Sequence, residues 1–327
     1  MSKVRHITVS EDDDGQRLDR WLKKNLPDVP YGLMQKLIRK GQLRIDGKRA
    51  KPDTKLAAGQ DVRIPPVSDG TTRKNADGKI ALKGADYIKS MVIFDDGDII
   101  ALNKPAGLAV QGGTKTRHHI DGMLDALTGD NGVRPRLVHR LDKDTSGVLL
   151  LARSAKVTRA LGDMFKGRDI KKIYWALVAP TPQAHMGTIR AAVGKSEGPR
   201  GSEKMVIDDK EGKKAVTEYV VLEHALDQAA FVAFWPRTGR THQIRVHAEL
   251  MGCPVLGDEK YGQDSFKIAG LAPARRLHLH AQRIICRHPT KKGMIDIQAP
   301  LPPELRNSWK TLGFDPSYKK DPFADLD

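Results

Sequence analysis

The sequence predicts an α+β protein of two domains. Its 327 residues exceed the roughly 150 that one domain typically needs, and a hydrophobic content of 39% is enough for a substantial core. A short basic segment with two helical patterns and a hairpin precedes a longer segment rich in strands. We expect the first domain at residues 15–66, a linker at 67–88 and the larger domain at 89–315.

The first domain begins after a short entry strand at Ile7–Val9. Apolar residues then recur at helical spacing from Leu18 to Leu26, where Pro27 ends the pattern. A second helix is expected at Gly32–Lys40. The Asp46-Gly47 dipeptide lies between two alternating segments and predicts a hairpin turn.

Positive charge is concentrated in this first domain. The net charge is +16 and the isoelectric point is about 9.7, and residues 31–66 hold nine Lys or Arg against three Asp or Glu. A solvated surface is the alternative, but residues three and four apart share a helix face, so the pattern favours a phosphate-binding surface. The candidate contacts are Lys36, Arg39, Lys40 and Arg44.

The larger domain contains a series of short apolar runs that are typical of strands. We expect strands at residues 91–94, 99–102, 148–152, 173–178, 218–222, 230–235 and 277–281. Helices are expected after Ser154, as far as Gly167, and after Thr241, as far as Gly252. Residues 194–214 are rich in glycine and charge and are expected to form a mobile loop.

One polar turn stands out as a candidate site. His139–Gly147 directly precedes the apolar run Val148–Ala152, which predicts a strand buried on both faces. The turn therefore holds two carboxylates, those of Asp142 and Asp144, next to a rigid strand.

Three other chemistries are weaker explanations of the candidate residues. His278 and His280, or His242 and His247, could bind a metal, but no Cys or carboxylate stands at companion spacing and the surroundings are cationic. We therefore expect no metal. The Asp-x-Asp pattern of the turn resembles that of aspartyl-phosphate enzymes, but no later acidic cluster is available for Mg²⁺. A serine nucleophile would lack the Gly-x-Ser-x-Gly turn.

A carboxylate acting on a glycosidic bond is the remaining explanation. An arginine near Asp142 would keep that aspartate ionised and available as a nucleophile or base at neutral pH. The downstream block Arg237–His247 supplies three arginines. No metal or cofactor is required for this chemistry.

Composition also indicates where the protein works. No run of about 18 apolar residues exists, and the N-terminus has no apolar signal segment, so neither a membrane span nor secretion is expected. Cys253 and Cys286 are far apart and show no CxxC spacing, which indicates two ordinary thiols. We expect a cytoplasmic protein.

The first domain resembles the alpha-L RNA-binding domain, a helix–helix–hairpin module of a small-subunit ribosomal protein and of several RNA-modifying enzymes. The segments that carry this likeness are Arg17–Leu22 and Arg39–Lys48. The larger domain resembles the large-subunit ribosomal RNA pseudouridine synthases. It matches their motifs, in order, at Asn103–Gly107, His139–Ala152, Lys172–Val178, Gly239–His247 and Gly257–Gly262.

This resemblance implies a mixed, mainly antiparallel sheet with a central cleft, and it assigns roles. Asp142 would attack C1′ of the target uridine or remove a proton from C2′. Tyr174, which the residues alone explain better as core filling, would stack on the flipped base. Arg245 would pair with Asp142, with Arg240 as the alternative partner, and Arg140 would fill the gap left by the base.

The resemblance also implies the partner. The substrate would be large-subunit ribosomal RNA, bound by a monomer without a cofactor. Lys104, Arg240 and His242 lie in matching motifs and join the expected RNA contacts, although Lys104 taken alone is equally an ordinary surface lysine. The rival functions are a non-enzymatic RNA-binding or ribosome-assembly factor and a magnesium-dependent phosphotransferase.

Overall fold

A computed structural model describes residues 4–26, 29, 31–66, 85–113, 116, 118–129, 132–197, 203–262 and 276–326. The chain forms two compact units, residues 1–83 and 84–327. The predicted linker at 67–88 lies outside the described residues as far as position 84, and residues 85–90 are helical.

The first unit combines two helices with a four-stranded antiparallel sheet in the order β1-β4-β2-β3. Its elements are β1 Arg5–Thr8, α1 Leu18–Asn25, α2 Tyr31–Arg39, β2 Arg44–Ile45, β3 Lys48–Arg49 and β4 Asp61–Ile64. Asp46 and Gly47 connect β2 to β3 with φ angles of 48° and 75°. Both angles are positive, as a two-residue hairpin turn requires, and the predicted turn is confirmed.

The apolar residues of both helices form one core, and the cations remain outside it. Trp21 and Leu22 of α1 pack with Leu37 and Ile38 of α2 in a buried cluster. The four predicted phosphate contacts, Lys36, Arg39, Lys40 and Arg44, are exposed. The helical spacing therefore separates an apolar face from a basic face, as expected.

The second unit is built on a ten-stranded sheet with the central order β10-β13-β14-β9-β15-β8-β6-β5, to which β7 and β16 are added at β8 and β15. The strands are β5 Val92–Asp95, β6 Ile99–Lys104, β7 Arg136–Leu137, β8 Ser146–Ala152, β9 Lys171–Val178, β10 Met186–Arg190, β13 Val216–Ala225, β14 Ala229–Pro236, β15 Leu279–Arg287 and β16 Met294–Gln298. Only the β15–β8 pair among these described strands is parallel. The α+β class and the mixed, mainly antiparallel sheet are confirmed.

Besides the helical residues 85–90, the described part of the second unit contains the helices α3 Ile120–Met123, α4 Ala155–Gly167, α5 Gln243–Leu250 and α6 Pro303–Thr311. Ser154 caps α4 as predicted, because its side chain accepts a hydrogen bond from the backbone N–H of Val157. The cap of α5 is His242 and not Thr241 as predicted. No helix among the described residues is long and apolar enough to span a membrane.

The expectation of a loop at 194–214 is wrong for residues 194–197 and 203–207, which lie in strands. Residues Val193–Glu197 form β11 and pair antiparallel with β12, Glu203–Ile207. The strands escaped prediction because glycine and charged residues interrupt the alternation of apolar and polar side chains on which strand prediction rests.

Strand β8 anchors the centre of the sheet. Its residues Val148–Ala152 have no exposed surface, which confirms the predicted burial on both faces and contributes about 1.5–3 kcal/mol for each large side chain. Gly147 has a φ of 115°, and a Cβ there would lie 2.1 Å from the carbonyl oxygen of Ala281 on β15. Only glycine therefore permits the close approach of these two strands beside the turn.

Candidate active site

The turn that carries Asp142 lies between β7 and β8 and is held by backbone hydrogen bonds. The N–H of Thr145 donates to the carbonyl oxygen of Asp142 at 3.2 Å. The carbonyl oxygen of Lys143 accepts from the N–H of Gly107 at 2.9 Å and from Nζ of Lys104 at 3.0 Å. The turn is thus fixed from the side of the Asn103–Gly107 loop.

His139 fixes the start of the same turn. Its Nε2 accepts a hydrogen bond from the backbone N–H of Leu150 at 2.8 Å, and its ring stacks on Phe165 with centroids 4.5 Å apart. Burial, and to a lesser degree the nearby charge of Lys172, lowers the pKa of His139 to about 3. The imidazole therefore remains neutral. It accepts a hydrogen bond from a backbone N–H of β8, as a backbone carbonyl oxygen would.

Lys104 is placed differently from the prediction. Its side chain is completely buried, and Nζ donates to the carbonyl oxygens of Pro105, Leu108 and Lys143 at 2.8–3.0 Å. An ammonium has three hydrogens, and all three are engaged. The expected RNA contact is therefore corrected: in this structure Lys104 positions the loop and the turn beneath Asp142. Burial lowers its pKa to about 8.

A cleft of about 490 Å³ opens over the centre of the sheet. It is lined by the turn before β8, by β9 and by the start of α5. Of the residues predicted for the site, it brings together Asp142, Tyr174, Arg245, Arg140, Arg240 and His242. Residues from separate segments of the chain thus converge, as the sequence predicted.

Arg245 is buried, but it forms its ion pair with Asp258 and not with Asp142 as expected. Its Nε and Nη2 each lie 2.6 Å from a carboxylate oxygen of Asp258. Burial lowers the pKa of Arg245, and the hydrogen bonds and charge of Asp258 outweigh that effect and raise it. The charge of Asp142 adds to the increase, so the guanidinium also lies within electrostatic range of that carboxylate.

Tyr174 belongs partly to the core and partly to the cleft, the two environments that were considered for it from the sequence. Its ring is half-buried, packs against the apolar clusters on either side of β9 and lines the cleft. Burial raises the pKa of its phenol, and the negative charge of Asp142 raises it further. The side chain is therefore a neutral phenol, with an apolar ring surface beside Asp142.

His242 adopts a left-handed backbone conformation, with a φ of 55°, at the start of α5. Its Nδ1 lies 2.7 Å from the hydroxyl of Tyr261, which accepts from the N–H of Met205 at 3.1 Å. Burial lowers the pKa of His242, and the charge of Asp142 partly opposes this.

Comparison with known proteins identifies both units. Residues 98–250 match the family described as RNA pseudouridylate synthase, and residues 16–62 match the S4 domain. A protein of Pasteurella multocida named ribosomal large subunit pseudouridine synthase C is 37% identical over 317 residues, which cover 95% of this chain and 93% of the relative. The chain belongs to the RNA pseudouridine synthase family.

Further relatives of this synthase agree. The Escherichia coli protein of the same name is 36% identical and covers 94% of this chain and 97% of its own length. The solved structure of human RNA pseudouridylate synthase domain containing 4 has a TM-score of 0.60 at 27% identity, covering 71% of this chain and 97% of that chain. Human RNA pseudouridylate synthase domain containing 1 gives 0.53 at 29% identity, covering 65% and 85%.

Two residues of the synthase site were not singled out from the sequence. Asp258 lies thirteen positions after Arg245 and holds its guanidinium. Gln243 accepts from the hydroxyl of Thr238 and the N–H of Arg240, and it donates to the carbonyl oxygen of Val216. Both lie inside matched motifs, but only the fold brings their partners within reach.

Ser146, His278 and His280, the candidate residues of the serine-nucleophile interpretation and of one metal site, are engaged in structural contacts within the synthase. Ser146 Oγ lies 2.8 Å from Nδ1 of His280, whose Nε2 donates to the carbonyl oxygen of Ala299 at 3.0 Å. Both side chains are buried, and burial lowers the pKa of His280 to about 4. His278 is likewise bonded, through Nε2, to the hydroxyl of Ser308.

Proposed function

We propose that this synthase converts specific uridines of large-subunit ribosomal RNA to pseudouridine, with Asp142 as the catalytic residue. The observation that carries the proposal is the convergence of Asp142, Tyr174 and Arg245 in one cleft. The substrate class follows the names of the relatives from Pasteurella multocida and Escherichia coli, which align along almost the whole chain.

The carboxylate of Asp142 acts on the sugar of the target uridine. It either attacks C1′, so that the N1–C1′ bond breaks and uracil leaves, or removes a proton from C2′ while the same bond breaks. The freed uracil rotates and C5 forms a bond to C1′. In the first route the Asp142–C1′ ester bond breaks as this bond forms, and in the second route Asp142 returns the proton to C2′. The proton on C5 is then transferred away as N1 gains one. Arg245, which two hydrogen bonds to Asp258 hold in the wall of the cleft, supplies a positive charge near Asp142.

The target nucleotide reaches Asp142 by leaving the RNA stack. Tyr174 offers its ring surface to the flipped base, and exposed Arg140 fills the space that the base leaves. Arg240 and His242 contact the RNA at the rim of the cleft. A detached uracil is retained because the bound RNA closes the cleft and excludes water.

The S4 domain supplies additional affinity. Its exposed residues Lys36, Arg39, Lys40 and Arg44 bind backbone phosphates, which gives a contribution that depends on salt and not on sequence. We propose that the active form is a monomer in the cytoplasm and that it needs neither metal nor cofactor. Domain limits of 15–66 and 89–315, joined by a linker at 67–88, complete the proposal.

Mapping pseudouridines in the ribosomal RNA of cells with and without this protein tests the function. The expected result is the loss of particular pseudouridines from large-subunit RNA alone, and their return when the wild-type gene is supplied. An unchanged large-subunit map, or a loss confined to other RNAs, would overturn the proposed substrate.

A further inference from the structure

A second cleft, of about 280 Å³, continues from the active-site cleft. The two share Arg168, Lys172, Pro236 and Arg237 in their walls. The cations that line the second cleft are Arg168, Lys172, Arg190, Lys214 and Arg237. A positively charged channel therefore leads away from the place where Asp142 and Tyr174 meet.

Two consecutive lysines of β9 have opposite environments. Lys171 lies on the inner side, where Nζ is 2.9 Å from a carboxylate oxygen of Asp321 and donates to the carbonyl oxygen of Phe323 at 3.0 Å. Lys172 points to the other side of the strand, the same side as Tyr174, because side chains alternate along a strand. In the part of the chain that the structure describes, its ammonium has neither a hydrogen bond nor an ion pair.

The environment of Lys172 is unfavourable for a positive charge in the free protein. Burial lowers the pKa of Lys172, and the nearby guanidinium of Arg168 lowers it further. A partly buried cation beside a second cation, without a carboxylate, destabilises the fold unless an anion compensates. Such a charge is expected at a site that is completed by an anionic ligand.

The carboxylate of the second cleft does not provide this compensation. Glu218 lies 3.7 Å from Nε of Arg237, and it accepts a hydrogen bond from the hydroxyl of Thr188. Arg237 is also stacked over the ring of Trp235. Among the described residues, the side chains of Arg168, Arg190 and Lys214 form no ion pair, so the channel retains an excess of positive charge.

We propose that Lys172 and Arg168 bind one backbone phosphate of the RNA beside the target uridine, and that the second cleft carries the strand that follows. Lys172 lies two residues from Tyr174 along β9, a distance of roughly 7 Å, which suits the nucleotide adjacent to the flipped base. The inference rests on the proposed function for RNA as the substrate, and it adds the path of the flanking strand.

Neutral linkages in the RNA test this contact. Binding is measured with an RNA hairpin in which one phosphodiester at a time around the target uridine is replaced by an uncharged methylphosphonate. For the wild-type enzyme, one linkage next to the uridine should weaken affinity about tenfold more than its neighbours do, as loss of a charge-assisted hydrogen bond does. Lys172→Met should bind the unmodified RNA more weakly, and it should lose less affinity than the wild type at that linkage, because only Arg168 then remains at the phosphate.

The proposal is contradicted if the effects of the neutral linkage and of the Lys172→Met substitution on affinity simply add. If the neutral linkage costs Lys172→Met as much affinity as it costs the wild type at every position, Lys172 does not bind a phosphate. The readout is equilibrium binding, so it is separate from the proposed function. That proposal fails if the wild type binds but modifies no large-subunit uridine, whereas an additive result in the binding assay counts against this inference alone.

Substitutions of Lys171 and of the remote Lys310 provide matched controls for the substitution of Lys172. Lys172→Met should leave the thermal stability of the free enzyme unchanged or raise it, whereas Lys171→Met should lower it, because Asp321 is left without its partner. Lys310→Gln, at an exposed position of α6, should affect neither stability nor RNA affinity. A fall in stability for Lys172→Met would mean that the residue is structural and would overturn the proposal.

Discussion

The basic face of the S4 domain and the arginine cluster of the cleft use the same residue types for different purposes. Lys36, Arg39 and Lys40 are exposed, and their positions follow from helical spacing alone. Arg245 is buried, and two hydrogen bonds to Asp258 fix its guanidinium. A cation on a surface acts through its charge, whereas a buried cation acts through the geometry that its partner imposes.

This difference explains where sequence patterns are reliable. A cluster of exposed cations predicts phosphate binding in any fold that exposes it, because binding to phosphate depends mainly on charge. The role of a buried cation depends on which hydrogen-bond acceptors the fold brings to it. Lys104 is such a case, since three carbonyl oxygens occupy its ammonium.

The largest effect is expected from the partner of the buried arginine. Asp258→Asn removes the charge that compensates Arg245, and loss of one member of a buried pair destabilises by about 3–5 kcal/mol. We expect a fall of that order in the free energy of unfolding, together with a loss of pseudouridine formation. Urea unfolding and a conversion assay measure the two quantities.

A second Arg–Asp pair of the sheet gives the matched control. Arg283 and Asp296 also form two hydrogen bonds at thirteen positions of separation, but the Asp296 side chain is 43% exposed. Asp296→Asn should therefore cost about 1 kcal/mol or less and leave conversion intact. Equal effects of the two substitutions would contradict the claim that burial of the carboxylate decides how much such a pair contributes.

A smaller effect is expected from the basic face. The triple substitution of Lys36, Arg39 and Lys40 by Gln should weaken RNA affinity and reduce the slope of log affinity against log salt by about 0.7–0.9 for each phosphate that is no longer neutralised. Stability should change by less than about 0.5 kcal/mol, because the side chains are exposed.

Three exposed lysines of the second unit serve as the control for net charge: Lys310, Lys319 and Lys320. Their joint replacement by Gln changes the charge by the same amount. If this variant showed the same fall in affinity and salt dependence as the triple substitution of Lys36, Arg39 and Lys40, the basic face would contribute only general charge and would not be a binding surface.

Stability is also expected to depend on pH. Burial holds the pKa of His139 at about 3 and that of His280 at about 4, below the ordinary 6.5. As the pH falls below 6.5, the unfolded chain takes up protons that the native state does not, so stability is lost by up to about 1.4 kcal/mol per histidine and pH unit. Urea unfolding at pH 7.5, 6.5 and 5.5 measures it, and a flat profile would contradict neutral, buried imidazoles.

The sequence predicted the parts of the fold that depend on local chemistry. The Asp46-Gly47 turn, the helices of the first unit and the buried run Val148–Ala152 follow from dihedral preferences and hydrophobic periodicity, and all are confirmed. The β11–β12 hairpin has no such periodicity. It is stabilised by pairing with distant residues, for example through the hydroxyl of Tyr261 at Met205, and no local pattern reports that contact.

The candidate site divides in the same way. The order of the motifs predicted that Asp142, Tyr174 and Arg245 would meet, and they line one cleft. Which carboxylate pairs with Arg245 could not be predicted, because both Asp142 and Asp258 lie in matched motifs and only their positions in the fold decide between them.

Substitution of Asp142 by Asn is the decisive test of the proposed catalytic role. The change preserves shape and removes the nucleophilic charge, and RNA binding should stay unchanged or become tighter because one negative charge leaves the cleft. The measurement is single-turnover conversion at saturating enzyme, together with equilibrium RNA affinity. We predict no detectable pseudouridine with affinity retained. Conversion at a rate close to that of the wild type would contradict the assignment of Asp142.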